Sequence, residues 1–342
     1  MVSGRTIASL VAAFALAGCV SITVGDEMTV PLSIAKQGSF FVGGRDVQSD
    51  NLSLLPAYAP SGTITVDQMY VRYQVPADVK GTPIVLIHGC CLTGKTWETT
   101  PDGRMGWDEF FLRKGNPTYV VDQSWRGRSA SDISTINLVK AGKAPVDKLP
   151  TVFAAGHEGA WAIFRFGAKY PEVFPGMRYP LDAQGEFWKQ MVPDWLNAAP
   201  NPTPTIANLS TLAVQLKGVV LMSHSQSGIF PFQAAALDTN GIKAIVAVEP
   251  AACPDPKADL KPFTKMPILV LFGDNVDIVP RWAPRLKLCR EFVDATNKAG
   301  GNAALWLLPD MGIKGNSHML MQDNNSLEIA GMLSGWIAKH AP

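Results

Sequence analysis

Val219-Val220-Leu221-Met222-Ser223-His224-Ser225-Gln226-Ser227-Gly228 reads as a short apolar run that enters a tight, serine-rich turn and leaves it as the helix-forming stretch Ile229 to Leu237. An apolar run this short and unbroken fits a strand buried on both faces of a parallel sheet. A strand that turns sharply into a helix lifts its central residue, Ser225, above the strand end. The helix N-terminus behind it offers N–H groups and a favourable dipole to negative charge nearby. This is the setting of a nucleophile elbow. The elbow wants small residues two before and two after its centre; here both are serine, Ser223 and Ser227, with Gly228 displaced by one.

Similar runs lie to either side: Pro83 to Ile87, Thr118 to Val121, Ala244 to Val248, Ile268 to Phe272 and Ala304 to Leu308, with helical patterns between most of them. Alternating β and α segments imply right-handed crossovers and an α/β fold with a mostly parallel, doubly wound sheet. Ahead of them Ile64, Val66, Met69, Val71, Tyr73 and Val75 alternate, as antiparallel strands bent near Asp67 would. Sites in such sheets lie beyond the carboxyl ends of the strands. The residues there are His88-Gly89-Cys90-Cys91, Asp122-Gln123, Ser223-His224-Ser225, Glu249-Pro250, Gly273-Asp274 and Asn316-Ser317-His318.

The core is thus expected over 61–130 and 217–342, interrupted at 131–216 by a segment far longer than an ordinary βα connection. We read the insertion as a helical cap, with helices around Gly159 to Tyr170 and Asp182 to Asn197. Trp161, Phe164, Phe166, Phe187, Trp188 and Trp195 would line an apolar pocket or simply pack the cap on the core. Residues 19–60, with Gly, Pro and Ser and no clear period beyond Ser39 to Val42, read as a tether and decoration. Residues 1–18 read as a signal peptide: Arg5 precedes the apolar run Ile7 to Ala17, too short to span a bilayer. Leu16-Ala17-Gly18-Cys19 looks like a bacterial lipobox, which would make Cys19 a lipidated N-terminus; plain cleavage and release is the alternative. Val20 after it does not suggest the Asp-type inner-membrane retention signal, so the expected place is the periplasm, anchored to the outer membrane.

Lys plus Arg (30) almost cancel Asp plus Glu (29), so no single-sign field steers the chain to nucleic acid, and the expected partner is a small molecule. With 47% hydrophobic and 17% charged residues there is ample core, while the polar and turn content excludes a multispan membrane protein. Nothing sets the oligomeric state; a homodimer is compatible with the chain. No His, Cys and Asp cluster has metal-ligand spacing, so no metal or cofactor is expected. Arg126-Gly127-Arg128-Ser129 lacks phosphate-loop spacing, and we read its arginines as structural pairs. Beyond Cys19 there remain Cys90, Cys91, Cys253 and Cys289, an even number suited to two disulfides in an oxidising compartment.

A serine hydroxyl needs a base, nearly always an imidazole. His88 and His224 sit beside strand ends as framework or pocket groups, His157 is in the insertion and His340 is almost terminal. His318, after the last strand and before the C-terminal helix, is the expected base, in the chain order Ser, acid, His. Two carboxylates stand at suitable strand ends to orient it, Glu249 and Asp277. Position alone favours Asp277, in Gly273-Asp274-Asn275-Val276-Asp277.

His88-Gly89-Cys90-Cys91-Leu92-Thr93-Gly94, Trp97 to Arg104, His224 to Gly228, Val248-Glu249-Pro250 and Asn316-Ser317-His318-Met319 together resemble the unusual bacterial (Alcaligenes) esterase type, α/β-hydrolases with a vicinal disulfide. The similarity covers nearly all of the mature chain. It implies an α/β-hydrolase fold and a carboxylic ester as substrate. It moves the expected triad acid to Glu249, and it departs from this chain in having glycine at position 223. It also implies a Cys90–Cys91 bond, which would leave Cys253 and Cys289 to form an ordinary staple. The expected oxyanion donors are the N–H of Gln226 and that of Cys90 or Cys91. Chemistry alone leaves open an amidase, a thioesterase, a carbon–carbon hydrolase or a lipid-anchored binding protein without turnover.

Overall fold

The computed structural model describes residues 30–195 and 204–342. The expected signal peptide and the expected lipidation site, Cys19, lie outside the described residues. Twelve strands are described: β1 Ile34–Val42, β2 Arg45–Ser49, β3 Gly62–Val66, β4 Met69–Pro76, β5 Ile84–Ile87, β6 Thr118–Asp122, β7 Val152–Phe153, β8 Asp194–Trp195, β9 Val219–His224, β10 Ile242–Val248, β11 Pro267–Phe272 and β12 Asn302–Leu307. The α-helices are α1 Trp107–Arg113, α2 Ser134–Lys140, α3 His157–Ile163, α4 Gln184–Lys189, α5 Pro204–Gln215, α6 Phe230–Leu237, α7 Ala283–Lys298 and α8 Ser326–His340.

Eight strands form the main sheet in the order β1-β4-β6-β5-β9-β10-β11-β12. Pairing is antiparallel at β1/β4 and β4/β6 and parallel from β6 onward. The continuous apolar runs follow from burial on both faces. Val85, Ile87, Val219 and Leu221 point into a cluster with α5, α6 and α7, while Ile84, Leu86, Val220 and Met222 point into one with α1 and α8. Each such side chain buried stabilises the fold by roughly 1.5–3 kcal/mol before entropy is counted. From β5 the chain runs to β6 on one side, and from β9 to β10 on the other. The carboxyl ends of β5 and β9 therefore flank the topological switch point, where a crevice opens.

The antiparallel strands bent at Asp67 are as read: Asp67, at φ 71°, sends β3 to β2 and β4 to β1 and β6. Three sequence expectations are corrected. β1 is an edge strand of the main sheet, with Phe40 paired to Val71, so residues 34–42 belong to that sheet rather than to a tether or decoration. The insertion ends before α5, because Ile206, Leu209, Leu212 and Ala213 belong to the core cluster. Within it α3 stops at Ile163, since Arg165 takes the left-handed conformation at φ 55°. Cys253 and Cys289 form a disulfide that ties the β10–β11 connection to α7.

Candidate active site

Ser225 directly follows β9 and holds φ 57°, a conformation most residues avoid. Its neighbours fix the turn. Ser227 Oγ lies 3.2 Å from the His224 N–H that donates to it and 3.1 Å from the Ile87 carbonyl. A Cβ on Gly228 would come within 2.4 Å of Pro250 Cβ, so glycine is needed there although it is displaced from the usual elbow position. Ser223 is buried and its hydroxyl has no partner, so the serine adds no bond to the turn. A Cβ on Gly89 would stand 2.8 Å from that of Ser225, which explains the glycine before the cysteine pair: the loop after β5 passes directly over Ser225.

His318 is fully buried. Its Nδ1 is 3.0 Å from Glu249 Oε2, and its Nε2 has no hydrogen-bond partner. The ring is packed against Trp282, at 4.2 Å between centroids, and against His224, at 4.6 Å. Burial, and then the Arg165 and Arg281 charges, outweigh the Glu249 carboxylate and bring the His318 pKa down to about 4. His88 and His224 are framework groups, as expected. His88 Nε2 accepts from the Gln123 N–H, and His224 Nε2 meets the His318 carbonyl at 2.9 Å.

Glu249 follows β10 at φ 53° and is fully buried. Besides His318 it accepts from the Gly273 N–H at 2.5 Å and from both Nη atoms of Arg165, at 2.6 and 2.5 Å. Burial alone would raise its pKa; the Arg165 charge and the hydrogen bonds of His318 and Arg165 reverse that and set it at about 2. Asp277 is exposed. Arg165 was not read from the sequence. The available signal was its place between Phe164 and Phe166, because a charge set among core aromatics needs a buried partner.

Cys90 and Cys91 follow β5. The expected bond between them is not formed in this structure: the sulfurs are 2.7 Å apart, against about 2.05 Å for a disulfide. A vicinal bond requires distortion of the peptide joining two Cα atoms only about 3.8 Å apart, and that peptide is trans here. The Cys91 N–H is taken by Asp194 Oδ2 at 3.2 Å, which leaves the Cys90 N–H as the loop's candidate oxyanion donor, with that of Gln226 opposite. Asp194, also missed in the sequence, is fully buried and ion-paired to Arg126, while Arg128 pairs with Asp122 at 2.7 Å. Cys90, Cys91 and Asp194 place three metal-ligand atoms within 4.8 Å of one another. The carboxylate is already committed to Arg126 and the Cys91 N–H, and a cation would face that guanidinium.

A cleft of about 220 Å³ opens over Ser225 and Gln226, walled by Phe153, Ile163, Phe164 and Trp282, with Arg281 and Arg285 on one side. Of the five cap aromatics whose side chains are described, Phe164 alone lines it. Trp161, Phe166 and Phe187 are buried in the cluster that joins cap to core. The His318 loop is braced from below, where Asp323 accepts from the Ser317 hydroxyl at 2.6 Å and its N–H at 2.9 Å. Arg104 reaches the Gln322 and Asp323 carbonyls at 2.8 and 3.0 Å, which gives Pro101 to Arg104 a structural role.

A sheet of this order with a strained serine after β9, a buried acid after β10 and a buried histidine after β12 defines an α/β-hydrolase. No family model matches the chain. It is 62% identical to the protein of "The Atomic Resolution Structure of a Novel Bacterial Esterase", over 92% of this chain and 98% of that one, with a TM-score of 0.90. It therefore belongs to that family of α/β-hydrolase esterases, which are carboxylic-ester hydrolases. It is also 26% identical to the "Probable secreted lipase phiG" of Fungal sp. (strain ATCC 74256), over 79% of this chain and 86% of that one.

Proposed function

We propose that the chain hydrolyses carboxylic esters through an acyl-Ser225 intermediate, with a Ser225-His318-Glu249 triad. The observation that carries this reading is the polarised state of His318: Nδ1 is held by an ionised carboxylate, while Nε2 is buried without a partner. Ser225 Oγ attacks the ester carbonyl carbon and its proton passes to Nε2. The carbonyl electron pair moves to oxygen, where the Cys90 and Gln226 N–H groups bind the oxyanion. The intermediate collapses, the carbon–oxygen bond breaks, and the alcohol leaves with the proton from Nε2. Water then repeats the sequence on the acyl-enzyme, with His318 again base and then acid, and releases the carboxylic acid and Ser225. An Nε2 without a partner suits this cycle, because catalytic hydrogen bonds tighten when substrate enters.

Ser225→Ala is expected to lower kcat/KM on p-nitrophenyl esters at least about 10³-fold. A fluorophosphonate should label Ser225 in the wild type and nothing in the variant. Turnover surviving in Ser225→Ala would overturn the mechanism, and an unlabelled, inactive wild type would instead favour a binding protein. We further infer export, in keeping with the secreted fungal relative, and lipidation at Cys19, for which palmitate labelling lost in Cys19→Ala is the test. We also infer that Cys90 and Cys91 close a vicinal disulfide in the oxidised enzyme, readable as two fewer titratable thiols before reduction.

A further inference from the structure

Arg281 and Arg285 bring two guanidinium groups to the same cleft that holds Ser225. No carboxylate lines that cleft, and among the described residues neither arginine has an ion-pair partner, whereas Arg126, Arg128 and Arg165 each hold an aspartate or glutamate. Arg285 is fixed in place: it donates through Nη1 to the Arg281 carbonyl and lies over the Trp282 ring, 5.3 Å from the centroid. Its Nε is buried without an acceptor. Trp282, over which Arg285 lies, is also the ring packed against His318, so this cation is placed close to the histidine. Partial burial, and after it the Arg281 charge, pull the Arg285 pKa below its ordinary value, and the Arg281 charge is felt at His318.

Two like charges beside an otherwise apolar wall disfavour the empty cleft and favour an anion in it. Guanidinium groups pair with carboxylates through charge-assisted, bidentate hydrogen bonds. We propose that Arg281 and Arg285 are specificity-determining residues that select esters carrying a second, ionised carboxylate on the part of the substrate seated in this cleft. The substrate class is then a half-ester of a dicarboxylic acid or an acyl ester of a hydroxy acid, rather than a neutral lipid. This inference rests on the ester-hydrolase reading above.

The test uses matched pairs that differ only in charge. Mono-p-nitrophenyl adipate and p-nitrophenyl hexanoate have the same six-carbon acyl chain, ending in carboxylate or methyl; 4-acetoxybenzoate and 4-tolyl acetate place the same difference on the alcohol side. In the wild type, kcat/KM for the charged member of at least one pair should exceed that for the neutral member about tenfold or more, mainly through KM, and the excess should shrink as salt is raised. The ratio should collapse at least about tenfold in the Arg281→Met, Arg285→Met double variant and invert in Arg281→Glu. Each ratio is taken on one preparation, so loss of folded protein cancels. Charged-to-neutral ratios equal in wild type and double variant for both pairs, or neutral members preferred in both, would overturn the proposal. Neutral-ester turnover that survives in Ser225→Ala would instead indict the mechanism on which it rests.

Discussion

Glu249 accepts four hydrogen bonds, and only one comes from His318. The bidentate pair with Arg165 keeps the carboxylate anionic in a site fully removed from water, yet it also spends part of the negative charge that would otherwise stabilise protonated His318. Arg165 is thus a positioning residue with an electrostatic consequence. Removing its charge should raise the His318 pKa from about 4, so the acid limb of kcat/KM should move to higher pH in Arg165→Met and stay close to the wild-type position in Arg165→Lys. Leaving Glu249 unpaired costs roughly 3–5 kcal/mol, so the limb is to be measured on protein shown folded by circular dichroism. Identical limbs in Met variant and wild type would rule out the electrostatic role. On the acid itself, Glu249→Gln should cost about 10³–10⁴ in kcat, as other triads lose when the orienting carboxylate is neutralised, while Asp277→Asn should change little. The reverse ranking would return the role to Asp277. Ser225 and His318 were legible from local pattern and chain order. Glu249 became preferred only through resemblance, because both carboxylates end strands. Arg165 was legible only as a charge set between aromatics; its partner was not, because it is 84 residues away and no local pattern records such a pairing.

At the level of elements, the inserted segment does more than cover the sheet. From the end of α3 the Phe164 carbonyl accepts the His318 N–H at 2.9 Å, next to the Arg165 clamp. From the approach to β8, Val192 donates to the Cys91 carbonyl at 2.9 Å and Asp194 takes the Cys91 N–H. One insertion therefore holds both the proposed base and the proposed oxyanion loop. The buried Arg126–Asp194 pair is its anchor, and Arg126 in turn reaches Gln123, which donates to the His88 carbonyl at 2.5 Å. Neutralising that anchor in Asp194→Asn should displace the Cys90 N–H from the oxyanion. We expect kcat to fall about 10- to 100-fold with KM nearly unchanged, since losing one oxyanion donor entirely costs about 10²–10³. A KM effect with normal kcat would place Asp194 in substrate binding instead. Parallel strands were legible because burial on both faces leaves unbroken apolar runs. The cap was legible as length but not as shape: α3 ends where Arg165 turns toward Glu249, and α5 joins the core although it follows the same long connection.

Across the whole molecule, three buried histidines are kept uncharged by burial, and that ties stability to pH. His88 and His318 are lowered to about 4 and His224 well below its ordinary value, in each case first by burial. All three are neutral when folded but take up protons near pH 6.5 when unfolded. A folded-state pKa below the unfolded one means that the stabilisation is fully present above about pH 6.5 and is lost as pH falls toward 4. Asp323 works in the opposite sense. Burial, only partly offset by its bonds to Ser317 and Asn316, raises it to about 6, so its contribution is lost as pH rises through that value. Asp108, also raised by burial, adds to the same side. Three histidines against one strongly shifted carboxyl leave roughly two protons taken up on unfolding near pH 5, a slope of about 2–3 kcal/mol per pH unit. The melting temperature should therefore hold down to about pH 6.5 and fall from there to pH 5, above the range in which ordinary carboxylates titrate. Asp323→Asn should steepen the fall by removing the opposing group while keeping an acceptor for Ser317. A melting temperature flat or rising toward pH 5 would mean that these histidines are protonated in the folded protein. The neutral His318 on which the proposed acyl transfer depends would then have to be sought at higher pH.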